Sequence, residues 1–437
     1  MKLNSITVEK LFGVFDHHIP LHQEEGITIV IGENGLGKTV LLEIIESFFK
    51  RNYFYFNTIT FDKIVFEFDD TISWHLQKTD DILNVTQVNK NKSEYNPLLL
   101  LDYGRRDWEQ HASRITRYVP YLRRIGSRRW EDRRTRELLD FEDIISRYGD
   151  LVPYDPYVKE VEDFPKWFIE RHNSINVTLI ETQRLITLVE REDKRHEKTV
   201  EKYSNELSRT IKSYLAQSTE LSSKLDRTYP NRLIDRLKQS SNATDEALNE
   251  ELKKLEEKRA LLDAVGLIEI EKDSGILKIE KPEDVVIDVL MLYVEDSFKK
   301  LEIFDKISSR IEVFLEILNK RFKHKKLHID KESGFLLKST IIKNKDGEFQ
   351  DIPVTKLSSG EQNELVLFYE LLFKTENSSL ILIDEPEVSL HISWQNSFIK
   401  DLREIIKLNK LEVIIATHSP DIIANNWDLK VELKGLE

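Results

Sequence analysis

The 437-residue chain contains no cysteine, no long apolar run, no low-complexity segment and no tandem repeat. The absence of cysteine excludes disulfides, thiolate metal sites and cysteine nucleophiles, and it is compatible with the reducing cytoplasm in which we expect the protein to act. No apolar stretch approaches the roughly twenty residues needed to cross a bilayer, and no N-terminal signal pattern is present, so a membrane permease is excluded. The net charge of −13 argues against general coating of nucleic acid.

A complete phosphate-binding loop (P-loop) lies near the start of the chain. It consists of Gly32, Glu33, Asn34, Gly35, Leu36, Gly37, Lys38 and Thr39. The loop stands between a short apolar run, Ile27 to Ile31, and a helical apolar pattern, Val40 to Phe49. Glycines allow backbone N–H groups to surround phosphates, while Lys38 is expected to reach the terminal phosphates and Thr39 the Mg²⁺ ion. These residues predict a strand, loop and helix that bind ATP and Mg²⁺.

Two carboxylates that would complete this site lie far downstream. Residues Leu380 to Glu385 read Leu-Ile-Leu-Ile-Asp-Glu, the pattern of a buried parallel strand that ends in acidic residues. Asp384 can hold Mg²⁺ through water, and Glu385 can polarise an attacking water molecule. The nucleotide site is therefore predicted to combine both ends of the chain.

A second anion site is predicted just before this strand. The sequence Leu357-Ser358-Ser359-Gly360-Glu361-Gln362 begins a predicted helix that extends from Glu361 to Phe373. Free N–H groups and the positive end of the helix dipole would face outward there. An outward-facing anion site of this kind requires the phosphate of a partner.

Four motifs in this order, the last being Thr417-His418-Ser419, resemble the motif set of ABC-type ATPase heads. In that family two heads enclose two nucleotides. The resemblance implies that Ser358 and Gly360, within the motif that also contains Ser359 and Glu361, contact the γ-phosphate bound by another subunit. It further implies that Glu385 is the general base and that His418 senses the same phosphate. Ser359 departs from the commoner glycine.

The same resemblance implies roles for two further segments. Gln183 follows a predicted strand, Asn176 to Ile180, and would contact Mg²⁺ and the attacking water; a plain capping role is the alternative. Ser389 and Leu390 fall at the position of the loop through which ABC-type heads contact each other. We therefore expect an α/β fold, namely an ABC-type P-loop ATPase head split in sequence, with an inserted helical coiled-coil hairpin domain.

Three local sequences narrow the resemblance to one branch of these ATPases. They are Leu11-Phe12-Gly13, Leu179-Ile180-Glu181-Thr182-Gln183-Arg184-Leu185 and Pro386-Glu387-Val388-Ser389-Leu390-His391. Residues Leu357 to Gln362 are called the signature segment below. Together with that segment, the three sequences resemble the OLD-like ATPases of prokaryotic anti-phage defence, most closely the AriA family of PARIS systems, with the PtuA families of Septu and retron systems as relatives. This implies a homo-oligomer, at least a head-to-head dimer and by analogy up to a hexamer, that controls a separate nuclease such as a TOPRIM protein after sensing a phage-encoded trigger.

A basic segment opposes the acidic balance of the chain. Between residues 105 and 136, eleven arginines face four acidic residues, a local charge of +7 in a chain of net charge −13. Arg123, Arg124, Arg128 and Arg129 lie among aromatic residues, and this mixture binds either an acidic protein surface or nucleic acid. A DNA-repair or chromosome-maintenance ATPase, similar to the SMC and RecF proteins, is therefore the alternative function. A nucleotide-gated scaffold that scarcely hydrolyses ATP is a third.

The interval between the two halves of the site is predicted to be mostly helical. An apolar seam runs from Val200 to Leu225, Tyr229-Pro230-Asn231 interrupts it, and leucines from Leu233 to Leu262 resume it, which predicts an antiparallel hairpin.

The chain is predicted to contain six segments. They are the first half of the head (1–104), an Arg-rich helical insertion (105–176), a head strand with Gln183 (177–187), a coiled-coil hairpin (188–262), connecting helices (263–324) and the second half of the head (325–437). The nineteen residues after His418 are too few for a TOPRIM nuclease, so we expect the effector to be another chain.

Overall fold

The fold divides into two compact units, one of which is assembled from both ends of the chain. The computed structural model describes residues 2–53, 55–79, 82–89, 92–99, 116, 119, 121–126, 129–133, 138–140, 144, 164–180, 198–238, 244–270 and 282–435. The first unit comprises residues 1–197 and 374–437, and the second comprises residues 198–373. The predicted α/β fold, with a head split in sequence around a helical insertion, is confirmed.

The strands and helices are numbered in chain order. The described strands are β1 (Leu3–Leu11), β2 (Phe15–Pro20), β3 (Ile27–Ile31), β4 (Lys63–Phe68), β5 (Ser73–Thr79), β6 (Ile82–Asn89), β7 (Lys92–Leu99), β8 (Leu122–Arg124), β9 (Arg129–Asp132), β10 (Leu138–Asp140), β11 (Val177–Ile180), β12 (Lys325–Asp330), β13 (Gly334–Lys343), β14 (Phe349–Ile352), β15 (Leu380–Asp384), β16 (Glu412–Thr417) and β17 (Lys430–Glu432). The described helices are α1 (Lys38–Phe49), α2 (Tyr55–Thr58), α3 (Lys166–Ser174), α4 (Thr199–Lys238), α5 (Asp245–Ala264), α6 (Asp284–Glu302), α7 (Asp305–Arg321), α8 (Ser359–Tyr369), α9 (Pro386–Ser389), α10 (Ile392–Gln395), α11 (Phe398–Asn409) and α12 (Pro420–Ile423). A π-helical turn, Glu370–Lys374, continues α8.

A parallel sheet forms the centre of the first unit. Its strand order is β11-β15-β16-β3-β17, and all neighbouring strands are parallel. The three central strands are almost completely buried, as continuous apolar runs in parallel sheets generally are. Strands from the two ends of the chain are therefore neighbours, because β16 pairs with β15 on one side and β3 on the other.

Helix α1 contributes many of the buried side chains that pack between this sheet and a second one. The second sheet is antiparallel with the order β2-β1-β4-β5-β6-β7. Leu41, Ile44, Ile45 and Phe48 follow helical spacing on α1 and are each at most 2% exposed. The ring of Phe48 packs against Phe66, Trp74 and Phe168, among other rings. The helix that begins at the P-loop is thus fixed by a large aromatic core.

The described part of the Arg-rich segment is not helical as expected. Strands β8, β9 and β10 form a small antiparallel sheet. Leu122, Trp130 and Leu139 are buried, whereas Arg123, Arg124 and Arg129 are exposed. Arginine is a good helix former, but helix propensity is worth little compared with packing, so the burial of three apolar side chains in paired strands determines the local structure instead. Arg128 lies outside the described residues.

The second unit begins with the long helix α4. Its buried residues all lie between Thr199 and Ile211, where Ser204 Oγ accepts a hydrogen bond from the backbone N–H of Phe335 at 2.8 Å. Gly334 has φ +75°, and a Cβ there would lie 2.0 Å from the carbonyl oxygen of Ser204. A side chain at position 334 is therefore excluded by this close approach. The predicted long helical segment is confirmed at residues 199–238.

The predicted break at Pro230 is wrong, because α4 continues through that residue. Proline removes the N–H donor that would bond the carbonyl four residues earlier, and side chains add hydrogen bonds to other carbonyls of the preceding turn. Thr228 Oγ1 donates to the carbonyl of Lys224 at 3.1 Å, and Arg232 Nη2 donates to that of Leu225 at 2.9 Å. Arg232 also binds both carboxylate oxygens of Asp296 on α6. Contacts to a neighbouring helix thus hold the end of α4 in helical form.

Helix α6 packs against both α4 and α5. The region predicted as a two-helix hairpin therefore includes a third helix. Leu248, Leu252 and Leu255 of α5 form a buried cluster with Ile287 and Val294 of α6. This third helix covers the leucines of α5 that were expected to pack within a two-helix hairpin. In the described ranges, no helix is both long and apolar enough to cross a bilayer.

The signature segment belongs to the second unit, whereas the sequence suggested one head segment from 325 to 437. Strands β12, β13 and β14 form a meander, with β12 against α7 and β13 against α4. Helix α8 is tied to α7 by a buried ion pair between Arg321 and Glu364 at 2.8 Å. These contacts within residues 198–373 explain why the boundary falls at residue 374.

Candidate nucleotide-binding site

Three neighbouring parallel strands deliver the predicted catalytic residues to one edge of the central sheet. The P-loop follows β3, Asp384 ends β15 and is followed by Glu385, and His418 follows β16. The carboxyl ends of parallel strands are the usual position of ligand sites in open α/β sheets. The structure therefore brings the P-loop, both carboxylates and the histidine together within the first unit.

The P-loop has the curled backbone needed to surround phosphates. Gly35 and Gly37 have φ values of +89° and +87°, and a Cβ at Gly37 would lie 2.7 Å from Leu11. Lys38 begins α1, is 6% exposed, and its Nζ donates to the carbonyls of Gly32 at 2.8 Å and Glu33 at 3.1 Å. The ammonium group thus lies inside the loop, where a phosphate chain would meet it.

Thr39 and Asp384 form the pair of oxygen ligands expected for Mg²⁺. Thr39 Oγ1 donates to Asp384 Oδ2 at 3.0 Å and lies 3.2 Å from Oδ1. Burial raises the pKa of the Asp384 carboxyl to about 6, and the negative charges of Glu385 and Glu387 act in the same direction. A cation beside this carboxylate would stabilise its ionised form, and Mg²⁺ prefers oxygen ligands of this kind. The donor set therefore fits the metal.

Glu385 occupies a strained turn immediately after β15. Its φ and ψ are 40° and 56°, a left-handed conformation that is uncommon for residues other than glycine. The turn is fixed on one side by a 2.8 Å hydrogen bond from the Glu385 N–H to the carbonyl of Ala416 on β16. The side chain is one-third exposed. Strain of this kind is concentrated at functional sites, which agrees with a catalytic carboxylate at this position.

Glu387 contacts His418 and was not predicted to have a role of its own. Its Oε1 accepts from the backbone N–H of His418 at 3.0 Å and lies 3.1 Å from Nδ1 of the same residue. Glu385 Oε1 is farther from this nitrogen, at 3.7 Å. The sequence placed Glu387 only within a subfamily pattern, because residues 387 and 418 are neighbours only after β15 and β16 have paired.

His17 is a second residue that the sequence analysis missed. It is buried on β2, and its Nε2 lies 2.8 Å from the carbonyl oxygen of Leu36 in the P-loop. Burial lowers the pKa of His17, so the ring is neutral and donates from Nε2. The alternation of Phe15, His17 and Ile19 with Asp16, His18 and Pro20 was a usable signal for a strand, but nothing in the sequence linked that strand to the loop.

The signature residues form a capped helix start in the second unit. Ser358 is the N-cap of α8, its hydroxyl oxygen accepts from the Glu361 N–H, and the Glu361 side chain accepts from the Ser358 N–H at 2.9 Å. Lys325 Nζ contacts both carboxylate oxygens of Glu361 at 2.9 Å. Ser358 and Ser359 are exposed, and a Cβ at Gly360 would meet open space. This helix start is accessible to a ligand.

Two predicted positions provide no further geometry. Gln183 lies outside the described residues, so its predicted contact with Mg²⁺ stays a prediction. Leu390 is 5% exposed, and nothing is described for the side chain of Ser389. Beside them, Val388 and Ile392 are 65% and 70% exposed. Among the side chains that the structure describes, no group of three or more His, Cys, Asp or Glu residues is arranged to hold a metal ion.

A P-loop at the end of a buried strand, with an acidic pair on the next strand but one, defines a P-loop ATPase head. Residues 1–423 match the AAA ATPase domain family AAA_15, and the chain belongs to that family. The protein is therefore an ATPase that binds nucleotide.

Two curated proteins match short parts of the chain. The UvrABC system protein A of Clostridium perfringens is 35% identical over 71 residues, which is 16% of this chain and 8% of that protein. Protein ea59 of Escherichia phage lambda is 35% identical over 68 residues, which is 16% of this chain and 13% of that protein. The chain thus covers only a small part of each relative.

Two SMC head domains are among the solved structures whose alignment with this chain covers most of both chains. The Smc head domain of Pyrococcus furiosus, with an extended coiled coil and bound to the C-terminal domain of ScpA, is 11% identical with a TM-score of 0.29, covering 97% of this chain and 91% of that one. The SMC head domain of Thermotoga maritima is 10% identical with a TM-score of 0.31, covering the same shares.

Proposed function

We propose that this ATPase hydrolyses Mg²⁺-bound ATP between two copies of the chain. Lys38 and the P-loop N–H groups would bind the phosphates, Thr39 and Asp384 would hold the metal, and Glu385 would accept the proton of the attacking water. Mg²⁺ would neutralise charge that develops on the phosphates. Ser358 and Gly360 of the second copy would complete the site.

The observation that carries this proposal is the exposed start of α8. The first N–H groups of a helix have no partner within the helix, and the Ser358 hydroxyl accepts only the one from Glu361. With open space beside Gly360, the helix start can receive an anion from outside. The exposed apolar side chains of Val388 and Ile392, next to the predicted contact loop, support a surface that another copy covers.

A subunit-mixing experiment tests the shared site. The Lys38→Ala variant lacks a working P-loop, and a Gly360→Arg variant blocks the signature helix start. Each variant alone is expected to be inactive, but a mixture is expected to regain ATPase activity, because a mixed dimer contains one site with an intact P-loop and an intact signature segment. Turnover of Mg²⁺-ATP is measured at constant total protein. A mixture of Lys38→Ala with the double variant is the matched control and should stay inactive.

Failure of the mixture to regain activity, while each variant still exchanges subunits with wild type, would contradict the shared site. Full activity of Gly360→Arg alone would contradict it as well. Either result would leave the membership in the AAA ATPase family unaffected, because the P-loop and the acidic strand lie within one unit.

We further propose that the protein acts in the cytoplasm in anti-phage defence, as the ATPase subunit of a complex. This role is supported by the resemblance of the motifs to OLD-like ATPases, particularly the AriA family of PARIS systems. ATP would hold the oligomer together, and a phage-encoded trigger would release or activate a separate nuclease. A neighbouring gene for a TOPRIM or other nuclease would favour this function, and co-expression with that neighbour followed by mass measurement tests the complex.

A DNA-repair or chromosome-maintenance ATPase is the second candidate. It is favoured by the exposed Arg123, Arg124 and Arg129 on β8 and β9, where the Arg124 guanidinium lies 5.5 Å from the centre of the Trp130 ring. Exposed guanidinium groups on a small rigid sheet can bind the phosphates of DNA, or the carboxylates of an acidic protein.

Substitution of both Arg123 and Arg124 with glutamine distinguishes these candidates. If the sheet binds DNA, removal of two charges should weaken binding and reduce the slope of log affinity against log salt by about 2, since each phosphate contact contributes roughly one unit. The control variant replaces the exposed Lys400 and Lys407, which are two positive charges on another surface of the same unit. Fluorescence anisotropy with duplex DNA at several salt concentrations provides the measurement. Equal slopes for both variants and wild type would favour the protein-binding alternative.

A further inference from the structure

His418 is in contact with the carboxylate of Glu387, which is almost completely buried, and is farther from Glu385, the proposed general base. Glu387 Oε1 lies 3.0 Å from the backbone nitrogen of His418 and 3.1 Å from its Nδ1. The corresponding distance from Glu385 Oε1 to Nδ1 is 3.7 Å, which is too long for a hydrogen bond. Glu387, rather than Glu385, is therefore the carboxylate in direct contact with His418.

The contact with Glu387 also favours a proton on one of the two ring nitrogens. Oε1 of Glu387 lies 3.1 Å from Nδ1, and a carboxylate oxygen at that distance attracts an N–H group and repels a nitrogen lone pair. Nε2 is then the nitrogen that points away from Glu387 and is available to other groups. In sites of this kind, the partner of one ring nitrogen sets the function of the other.

Glu387 is itself fixed by the structure around it. Its side chain is 7% exposed, compared with 50% for His418. Gln395 Nε2 donates to the backbone carbonyls of Glu387 at 3.3 Å and Leu390 at 3.2 Å. Ser419, the residue after the histidine, donates from Oγ to Gln395 Oε1 at 2.9 Å. The segments that carry Glu387 and His418 are thus joined by two independent sets of hydrogen bonds.

We propose that Glu387 is a positioning residue for ATP hydrolysis, acting through His418: it holds the backbone of that residue and orients its ring, and it favours a proton on Nδ1. The inference rests on the proposed hydrolysis of ATP and on the expectation, taken from the motif resemblance, that His418 senses the γ-phosphate and so has a role in hydrolysis. Glu387 contributes more to turnover than to nucleotide affinity, because its side chain contacts His418 and not the P-loop. Loss of the carboxylate allows the ring to rotate and to adopt the other tautomer.

A double-mutant cycle with Glu387→Ala and His418→Ala tests this inference. Glu387→Ala is expected to lower kcat roughly 10- to 100-fold, the usual range for partners of this type, while KM for ATP changes much less. Glu387→Gln keeps an acceptor oxygen and should recover most of that loss. In the His418→Ala background, Glu387→Ala should cost less than about 2-fold, because the residue through which it acts is gone. Glu24→Ala, at an exposed position in the same unit, is the control.

The outcomes separate the inference from the role on which it rests. If His418→Ala lowers kcat but Glu387→Ala costs the same factor in both backgrounds, Glu387 has a structural or direct catalytic role and the inference is overturned. If His418→Ala leaves kcat unchanged, the proposed role of His418 fails. Nitrogen-15 NMR of labelled histidine gives a separate readout: the His418 signal, identified by its loss in His418→Ala, should show a protonated Nδ1 in wild type and a changed tautomer mixture in Glu387→Ala.

Discussion

Replacement of Lys38 with alanine is expected to remove measurable ATP binding. The Lys38 ammonium lies inside the P-loop, bonded to the carbonyls of Gly32 and Glu33, and is 6% exposed. A phosphate chain bound there would form charge-assisted hydrogen bonds with it, and such bonds are about twice as strong as neutral ones. Loss of this cation should weaken binding at least roughly 100-fold, or about 2.8 kcal/mol. Isothermal titration calorimetry with a non-hydrolysable ATP analogue measures the change.

The control for this experiment is Lys50→Ala, at the C-terminal end of the same helix. Lys50 is exposed and bonds Glu46 one turn earlier, so its replacement removes a positive charge without changing the loop. Lys38→Arg serves as the second variant, because it keeps the charge but cannot fit the same bonds in the loop. Unchanged affinity in Lys38→Ala, with a melting temperature equal to that of wild type, would contradict the assignment of residues 32–39 as the phosphate-binding loop.

The parts of the site that could be predicted are those whose function depends on neighbours in sequence. The P-loop needs a strand, a glycine-rich turn and a helix in succession, and all three were visible in residues 27–49. The strand that ends at Asp384 was equally clear, because its continuous apolar run is typical of a parallel sheet. We expected the two segments to meet because both would bind the same Mg²⁺-ATP. The hydrogen bond from Thr39 to Asp384 agrees with that expectation.

The features that were missed depend on packing between separate elements, which the sequence of one element does not show. Pro230 was expected to end a helix, but Arg232 and Asp296 on neighbouring helices keep that end of α4 helical. The Arg-rich segment was expected to be helical, but Trp130 packs its strand into a sheet. Neither the contact of Glu387 with His418 nor that of His17 with Leu36 has a sequence signature, because each joins residues of separate segments.

Replacement of Glu385 with glutamine is expected to stop hydrolysis while ATP binding is retained. Glutamine is nearly the same size as glutamate and has the same difficulty with the positive φ of 40°, so the turn after β15 should be preserved. It cannot accept the proton of an attacking water, and removal of a general base typically costs roughly 10²- to 10⁴-fold in rate. Phosphate release under saturating Mg²⁺-ATP measures the loss, with Glu24→Gln as the matched exposed control.

The same variant should accumulate as an ATP-bound dimer. If ATP joins two copies and hydrolysis separates them, a variant that binds but does not hydrolyse holds the joined state, which light scattering after size-exclusion chromatography detects as a shift of mass on addition of ATP. Lys38→Ala should show no shift, because it does not bind the nucleotide. Turnover at the wild-type rate in Glu385→Gln would transfer the role of base to another carboxylate, and Glu387 is then the nearest candidate, since it lies against the same histidine. Loss of turnover without a shift of mass would instead keep Glu385 as the base and contradict ATP as the joint between copies.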